Sequence, residues 1–201
     1  MSTAYCFDLD GTLTRQELLP LIAAATDMSD EISALTEATI HGLILFEKSF
    51  KLRVRLLRDV SFSAIHDVFE TQVDFDPDIM AFIQSRPEQC FVVTGNLDVW
   101  VKPMLDKLGI ASFTSIAKLG QGGALEGVQA ILNKGDAIAG LKERFHRIVA
   151  IGEGMNDVPM FEVADVRVAF GGAHEPSRVL KQVSDFVVND GRALCRLLNM
   201  L

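Results

Sequence analysis

The chain has 201 residues, 49% of them apolar, and a formal net charge of −8. That length fits one domain, or one domain carrying an insertion, and the apolar content can supply a sizeable core. The acidic balance argues against a nucleic-acid partner, the first residues lack the basic-then-apolar pattern of a signal peptide, and the uncharged stretch 18–25 is too short to cross a bilayer.

The first predicted element is a short buried strand, Ala4-Tyr5-Cys6-Phe7, which runs into Asp8-Leu9-Asp10-Gly11-Thr12. Asp8 and Asp10, two positions apart, should point the same way at the strand tip. Their mutual repulsion demands a shared proton or a cation. Such a pair suits a magnesium-assisted reaction on a phosphate, with one Asp attacking phosphorus and the other handling a proton. Thr12 is expected to donate a hydrogen bond that orients the pair. Asp, Gly and Thr also favour ordinary turns, so the motif alone leaves that reading open.

Residues 14–74 read as successive helices at 17–25, 30–41, 46–58 and 63–69, with no strand between them. In the third, Phe46, Phe50, Val54 and Leu57 recur near the helical period. Lys48, Lys51, Arg53, Arg55 and Arg58 form the one basic run, and on a helix they spread over more than one face, as a solvated surface does. A helical insertion at this place could fold over the strand tips and exclude water.

Strands are then predicted at 91–93, 148–151, 167–170 and 186–188, alternating with helices at 78–84, 97–108, 134–144, 158–163, 177–182 and 193–198. This alternation predicts a doubly wound α/β fold, a parallel sheet covered on both faces. Ligands of such sheets bind beyond the carboxyl ends of the strands. The glycine-rich stretch 120–127 matches no phosphate-binding fingerprint and reads as a turn between two short strands.

Three further segments fall at or near strand ends. Thr94-Gly95-Asn96 offers a hydroxyl and backbone N–H groups to phosphate oxygens, or caps the helix that follows. Lys134 could neutralise the attacking carboxylate and the phosphate, or lie on the surface. Gly152-Glu153-Gly154-Met155-Asn156-Asp157 brings two more acids that can complete a magnesium site, or forms a tight turn before the next helix. Cys6, Cys90 and Cys195 are odd in number and far apart, as reduced core thiols of a cytoplasmic protein would be. His41, His66, His146 and His174 show no metal-ligand spacing and are expected in ordinary core or surface roles, though His174, which follows the strand ending at Phe170, could approach the site.

Together these segments resemble the motifs of the haloacid dehalogenase-like superfamily, and within it the phosphoserine phosphatase-like branch. Asp8-Leu9-Asp10-Gly11-Thr12, Thr94-Gly95, Lys134 and Gly152-Glu153-Gly154-Met155-Asn156-Asp157 match its four motifs in order. The resemblance implies a Rossmann-like core of residues 1–13 and 75–201 with a small helical cap of residues 14–74. It implies Asp8 as nucleophile and Asp10 as general acid/base. Magnesium would be held by Asp8, the Asp10 carbonyl and Glu153, with Asp157 in support. Thr94, Gly95, Asn96 and Lys134 would hold the phosphoryl group, Glu17 the substrate amine and Arg53 its carboxylate, with Phe46 as an apolar wall. Two residues depart from the pattern: Glu153 stands in place of the usual Asp, and Asn96 in place of a common glycine. The function expected is a magnesium-dependent phosphatase acting on a small phosphomonoester, phosphoserine first, in the cytoplasm. The alternatives are another phosphorylated metabolite, or a non-catalytic relative that binds a phosphorylated ligand. Oligomeric state is not legible in the sequence.

Overall fold

Alternating side chains along the first strand, β1 (Thr3–Phe7), set the layering of the whole molecule. Tyr5 and Phe7 face one apolar cluster, Ala4 and Cys6 the other. The structure, a computed structural model, describes residues 2–201. After β1 come four helices, α1 (Leu18–Ala23), α2 (Ser29–Ile40), α3 (Phe46–Leu57) and α4 (Phe62–Gln72), then α5 (Pro77–Ser85). The remaining chain alternates β2 (Cys90–Leu97), α6 (Asp98–Leu108), β3 (Ala111–Leu119), β4 (Leu125–Ala130), α7 (Lys134–Ala139) and β5 (Arg147–Gly152). It ends with α8 (Val158–Val163), β6 (Val166–Phe170), α9 (Arg178–Val183), β7 (Phe186–Val188) and α10 (Gly191–Leu198).

The seven strands form one sheet in the order β4-β3-β2-β1-β5-β6-β7. The chain moves outward from β1 in one direction through β4 and in the other from β5 onward. The reversal lies beside β1, which is where ligands of doubly wound sheets bind. One face is covered by Ile79 and Phe82 of α5, Trp100 of α6, and Leu194 and Leu198 of α10. The other is covered by Ile138 of α7, Met160 and Phe161 of α8, and Leu180 of α9.

The sheet is parallel, as expected, except at one edge. β4 runs antiparallel to β3, and the glycine-rich turn joins them. β3 has no counterpart among the strands expected by residue number, because its residues Ala111–Leu119 are mostly exposed or half-buried and carry no continuous apolar run. The helix expected at 134–144 stops at Ala139 and continues as a tighter 3₁₀ turn over Gly140–Glu143. Of the three thiols, Cys6 and Cys90 are buried, whereas Cys195 is half-exposed on α10.

Helices α1 to α4 stand between two adjacent chain crossings. Thr14 bridges Phe75 in antiparallel fashion. Arg15 N–H donates to the Asp74 carbonyl at 2.9 Å and Asp76 N–H to the Leu13 carbonyl at 3.0 Å. Within the four helices, Thr39 donates to Ser49 Oγ at 2.7 Å, tying α2 to α3. Asp76 terminates the crossing by capping α5, accepting from Asp78 and Ile79 N–H.

Candidate active site

Three strand ends converge on one pocket. The end of β1 supplies Asp8 and Asp10, the end of β2 supplies Gly95 and Asn96, and the end of β5 supplies Glu153. From the inserted helices come Glu17, Thr36, Thr39, Phe46, Phe50 and Arg53. The space between has room for about 40 Å³ of water centres, or roughly three waters at 10–15 Å³ each.

Lys134 anchors the floor. It is the first residue of α7, whose N-terminus is capped by Asn133 Oδ1. Its ammonium is 97% buried and donates to Asp8 Oδ1 at 2.5 Å and to Asp157 Oδ1 at 2.6 Å. Burial pulls the Lys134 pKa down, but Asp157 and Asp8 outweigh it and hold the group above its ordinary value. Asp8 is pushed well above the usual carboxylate range by burial first and by Asp157 second, with Lys134 opposing. The other Asp157 oxygen accepts the backbone N–H of Glu153 at 2.8 Å and of Gly154 at 2.9 Å. Both Asp157 oxygens are therefore engaged, and the residue orients Lys134 and the 153–154 backbone. A Cβ on Gly152 would lie 2.5 Å from that carboxylate, so only glycine admits it there.

Asp10 is held from two sides. Its Oδ1 accepts Leu18 N–H at 2.9 Å, at the start of α1, and its Oδ2 accepts Asn96 Nδ2 at 2.5 Å. Burial raises its pKa, and the Leu18 N–H opposes this. Asn96 also reaches Thr94 Oγ1, through Nδ2 at 3.2 Å and backbone N–H at 3.1 Å. Thr94 therefore does not cap α6; its buried hydroxyl is an acceptor inside this network. The sharp turn at Gly11 (φ +66°) carries the chain away from Asp10. Thr12 does not orient the acids as expected: its buried hydroxyl has no hydrogen-bond partner.

Arg53 is not part of a solvated basic face. It is 95% buried and donates from Nη1 to Thr36 Oγ1 at 3.1 Å, while its Nε is unpartnered. Burial lowers its pKa, and Asp10 and Glu17 oppose that. Glu17 is raised well above its ordinary value by burial and by the charges of Asp10, Glu153 and Asp8. Phe46 stacks on Phe50 with ring centroids 5.3 Å apart and seats its ring tip over Gly95.

His174, whose place after a strand end left an approach to the site open but gave it no role, reaches the pocket acids. The loop after β6 brings its Nε2 against Glu153 Oε2 and to 3.6 Å from Glu17 Oε1. The carboxylate of Glu153 raises the His174 pKa. No spacing signal pointed to it, since its approach depends on Ser177 N–H bonding the Glu153 carbonyl at 2.9 Å across 24 positions of chain.

A family model described as haloacid dehalogenase-like hydrolase matches residues 6–162. The chain belongs to the haloacid dehalogenase-like hydrolase family. Among its relatives within that family, the phosphoserine phosphatase of Methanocaldococcus jannaschii is 27% identical over 193 residues, covering 90% of each chain. That of Halobacterium salinarum is 29% identical and covers 98% of this chain and 97% of its own. The human phosphoserine phosphatase is 27% identical, covering 84% and 81%. A solved structure of a phospho-aspartyl intermediate analogue of phosphoserine phosphatase superposes with a TM-score of 0.80 at 25% identity, over 98% of both chains. A substrate-bound phosphoserine phosphatase gives a TM-score of 0.85 at 23% identity over the whole chain, which speaks to the fold. As a haloacid dehalogenase-like hydrolase, the chain carries all four motif segments on the pocket or its floor.

Proposed function

We propose that this protein is a magnesium-dependent phosphatase that hydrolyses a small phosphomonoester, with phosphoserine as first substrate, through an aspartyl-phosphate at Asp8. The observation that carries the reading is the pocket itself: Asp8 rests on a buried lysine beneath it, and a carboxylate and a guanidinium from the inserted helices share its walls. We further propose that residues 14–74 act as the cap of a core formed by 1–13 and 75–201.

The donor set fits a magnesium ion. Asp8, Asp10 and Glu153 offer hard oxygen ligands, and all three line the same pocket. Five carboxyls (Asp8, Asp10, Glu17, Glu153, Asp157) converge with Lys134, Arg53 and His174, and a divalent cation would favour the ionised form of those that burial pushes toward the neutral acid. Asp8, the Asp10 carbonyl and Glu153 would hold it, with Asp157 in support. When bound, magnesium supplies charge stabilisation at the phosphoryl oxygens.

The chain's own groups divide the remaining work. Asp8 attacks phosphorus while Lys134 stabilises its anionic form and the transferring phosphoryl oxygens. Asp10, whose pKa burial raises, delivers a proton to the departing hydroxyl oxygen. The second half uses Asp10 in reverse: it takes a proton from the water that attacks the aspartyl-phosphate, and phosphate leaves Asp8 free. Gly95 and Asn96 line the phosphoryl side, with Thr94 buried behind them as the acceptor that orients Asn96. Glu17 pairs with the substrate ammonium, Arg53 offers its planar fork to the substrate carboxylate, and Phe46 closes the apolar wall. The inserted helices, which share the pocket walls, would exclude water from bound substrate. The three free thiols suit a reducing, cytoplasmic setting.

The test is phosphate release from phosphoserine and a panel of phosphorylated metabolites with magnesium present. Asp8→Asn should abolish turnover. Undiminished turnover by Asp8→Asn removes the nucleophile, and a strong preference for an ester lacking both amine and carboxylate removes the Glu17 and Arg53 assignments.

A further inference from the structure

The matched motifs account for Glu153 but leave His174 without a role. His174 Nε2, Glu153 Oε2 and Glu17 Oε1 lie within 4.8 Å of one another. All three atoms are buried; His174 Nε2 and Glu153 Oε2 form a close ion pair, and Glu17 Oε1 has no hydrogen-bond partner. Glu153 itself is 97% buried. The cluster is built rather than incidental. Ser177 N–H ties the histidine loop to the Glu153 carbonyl, and a Cβ on Gly11 would stand 2.9 Å from His174 Cε1 and 3.3 Å from the Glu153 carboxyl carbon.

We propose that Glu153, Glu17 and His174 form a binding site for a nitrogen-accepting divalent ion of the zinc class, and that such an ion excludes the amine-bearing substrate by occupying Glu17. Two carboxylate oxygens and one imidazole nitrogen are a three-ligand set of the kind zinc accepts, with a fourth position left for water. Donor atoms around such an ion sit about 3.3 Å apart, given bonds of about 2.0–2.2 Å in a tetrahedron. The 3.6 Å between Glu17 and His174 is close to this, whereas the Glu153–His174 ion pair is much tighter and would have to separate to admit the ion between them. Magnesium takes oxygen ligands, so imidazole adds affinity selectively for the zinc class. The longer reach of Glu153, compared with an Asp at that place, lets its carboxylate meet the imidazole. The proposal rests on the divalent-ion and Glu17 parts of the reading above.

The experiment titrates the metal-free full chain with zinc and, separately, with magnesium by calorimetry, in unmodified protein, His174→Ala and His174→Gln. Zinc affinity should fall at least about tenfold in both variants, while magnesium affinity does not fall. In the unmodified protein, long-range ¹H–¹⁵N spectra of the histidine rings should show the His174 Nε2 resonance moving with zinc and staying in place with magnesium. Added phosphoserine should raise the apparent zinc dissociation constant. Equal changes for both ions, or a His174 ring unmoved at saturating zinc, overturn the site while leaving the phosphatase reading intact. Zinc and phosphoserine binding together without mutual effect overturns the exclusion. No binding of any divalent ion overturns both.

Discussion

Asn96 departs from the pattern its neighbours follow, and its side chain explains how the departure is tolerated. Rather than standing in the pocket as a loose obstacle, the amide bonds Asp10 at 2.5 Å and Thr94 at 3.2 Å. It holds the proton-handling acid against the end of β2. Replacing Asn96 with Ala removes a hydrogen bond to an ionisable carboxyl, of the class worth roughly 1.5–3 kcal/mol. The expected outcome in steady-state kinetics is a fall in kcat of about tenfold or more that exceeds any rise in KM, since the lost contact orients Asp10 while the same side chain only borders the phosphoryl group. A selective rise in KM would mean that Asn96 serves binding instead. Lys134 makes a second residue-scale case, this time on stability. Lys134→Ala strands Asp8 and Asp157 in the interior without their common cation. Breaking a buried pair in this way costs about 3–5 kcal/mol. Urea unfolding in the presence of a chelator should show that loss, and added magnesium should recover part of it by binding the folded state. Unchanged unfolding midpoints would mean the two carboxyls are satisfied by their own protonation.

At the scale of elements, the contact that matters is α3 against the end of β2. A Cβ on Gly95 would lie 2.3 Å from the Phe46 ring tip, so the closeness of cap to core here depends on a missing side chain. Gly95→Ala is expected to prop the helices open and raise KM several-fold, with the double variant Gly95→Ala/Phe46→Ala recovering much of the loss. Failure of that rescue in paired kinetic measurements would place the defect in the β2 backbone rather than in the α3 contact. The same interface marks the boundary of what sequence could show. The helices carrying Phe50, Val54 and Leu57 were readable, because amphipathic periodicity survives wherever a helix packs on one face. The strand ends were readable too, because Asp8, Thr94 and Glu153 each follow an apolar run. β3 was readable only as one of two short strands flanking the glycine-rich turn, without bounds, because an exposed near-edge strand needs no apolar run. Arg53 looked like surface charge, since a buried cation among exposed ones differs only in what lies across from it. His174 and the unpartnered Thr12 hydroxyl depend on loop paths, which residue spacing does not encode.

Across the whole molecule, the inserted helices and the sheet share one apolar cluster. Leu18, Ile22, Ile32, Phe50, Ile65 and Phe69 from the insertion are continuous with Tyr5, Phe7, Val92 and Trp100 of the core. The insertion is also pinned at its base by the Thr14–Phe75 bridge and the two backbone hydrogen bonds beside it. Residues 14–74 therefore bury their apolar faces against the core as well as against each other, and a separate melting step would have to tear a common cluster. Thermal unfolding is expected as one calorimetric transition, with equal calorimetric and van't Hoff enthalpies. The thiols report the same event. Cys6 and Cys90 sit on the central strands β1 and β2, and burial drives both pKa values upward, that of Cys90 to about 12. Cys195 is raised to about 11, also chiefly by burial. Thiolate is the reactive form, so a disulfide reagent at pH 8 should modify Cys195 slowly and leave the other two untouched in the native protein. Raising the pH toward 10 should speed the Cys195 reaction by increasing its thiolate fraction. In urea, Cys6 and Cys90 should become reactive at the denaturant concentration where helical signal is lost. Loss of helical signal at lower urea, with both strand thiols still protected, would show that the cap unfolds on its own.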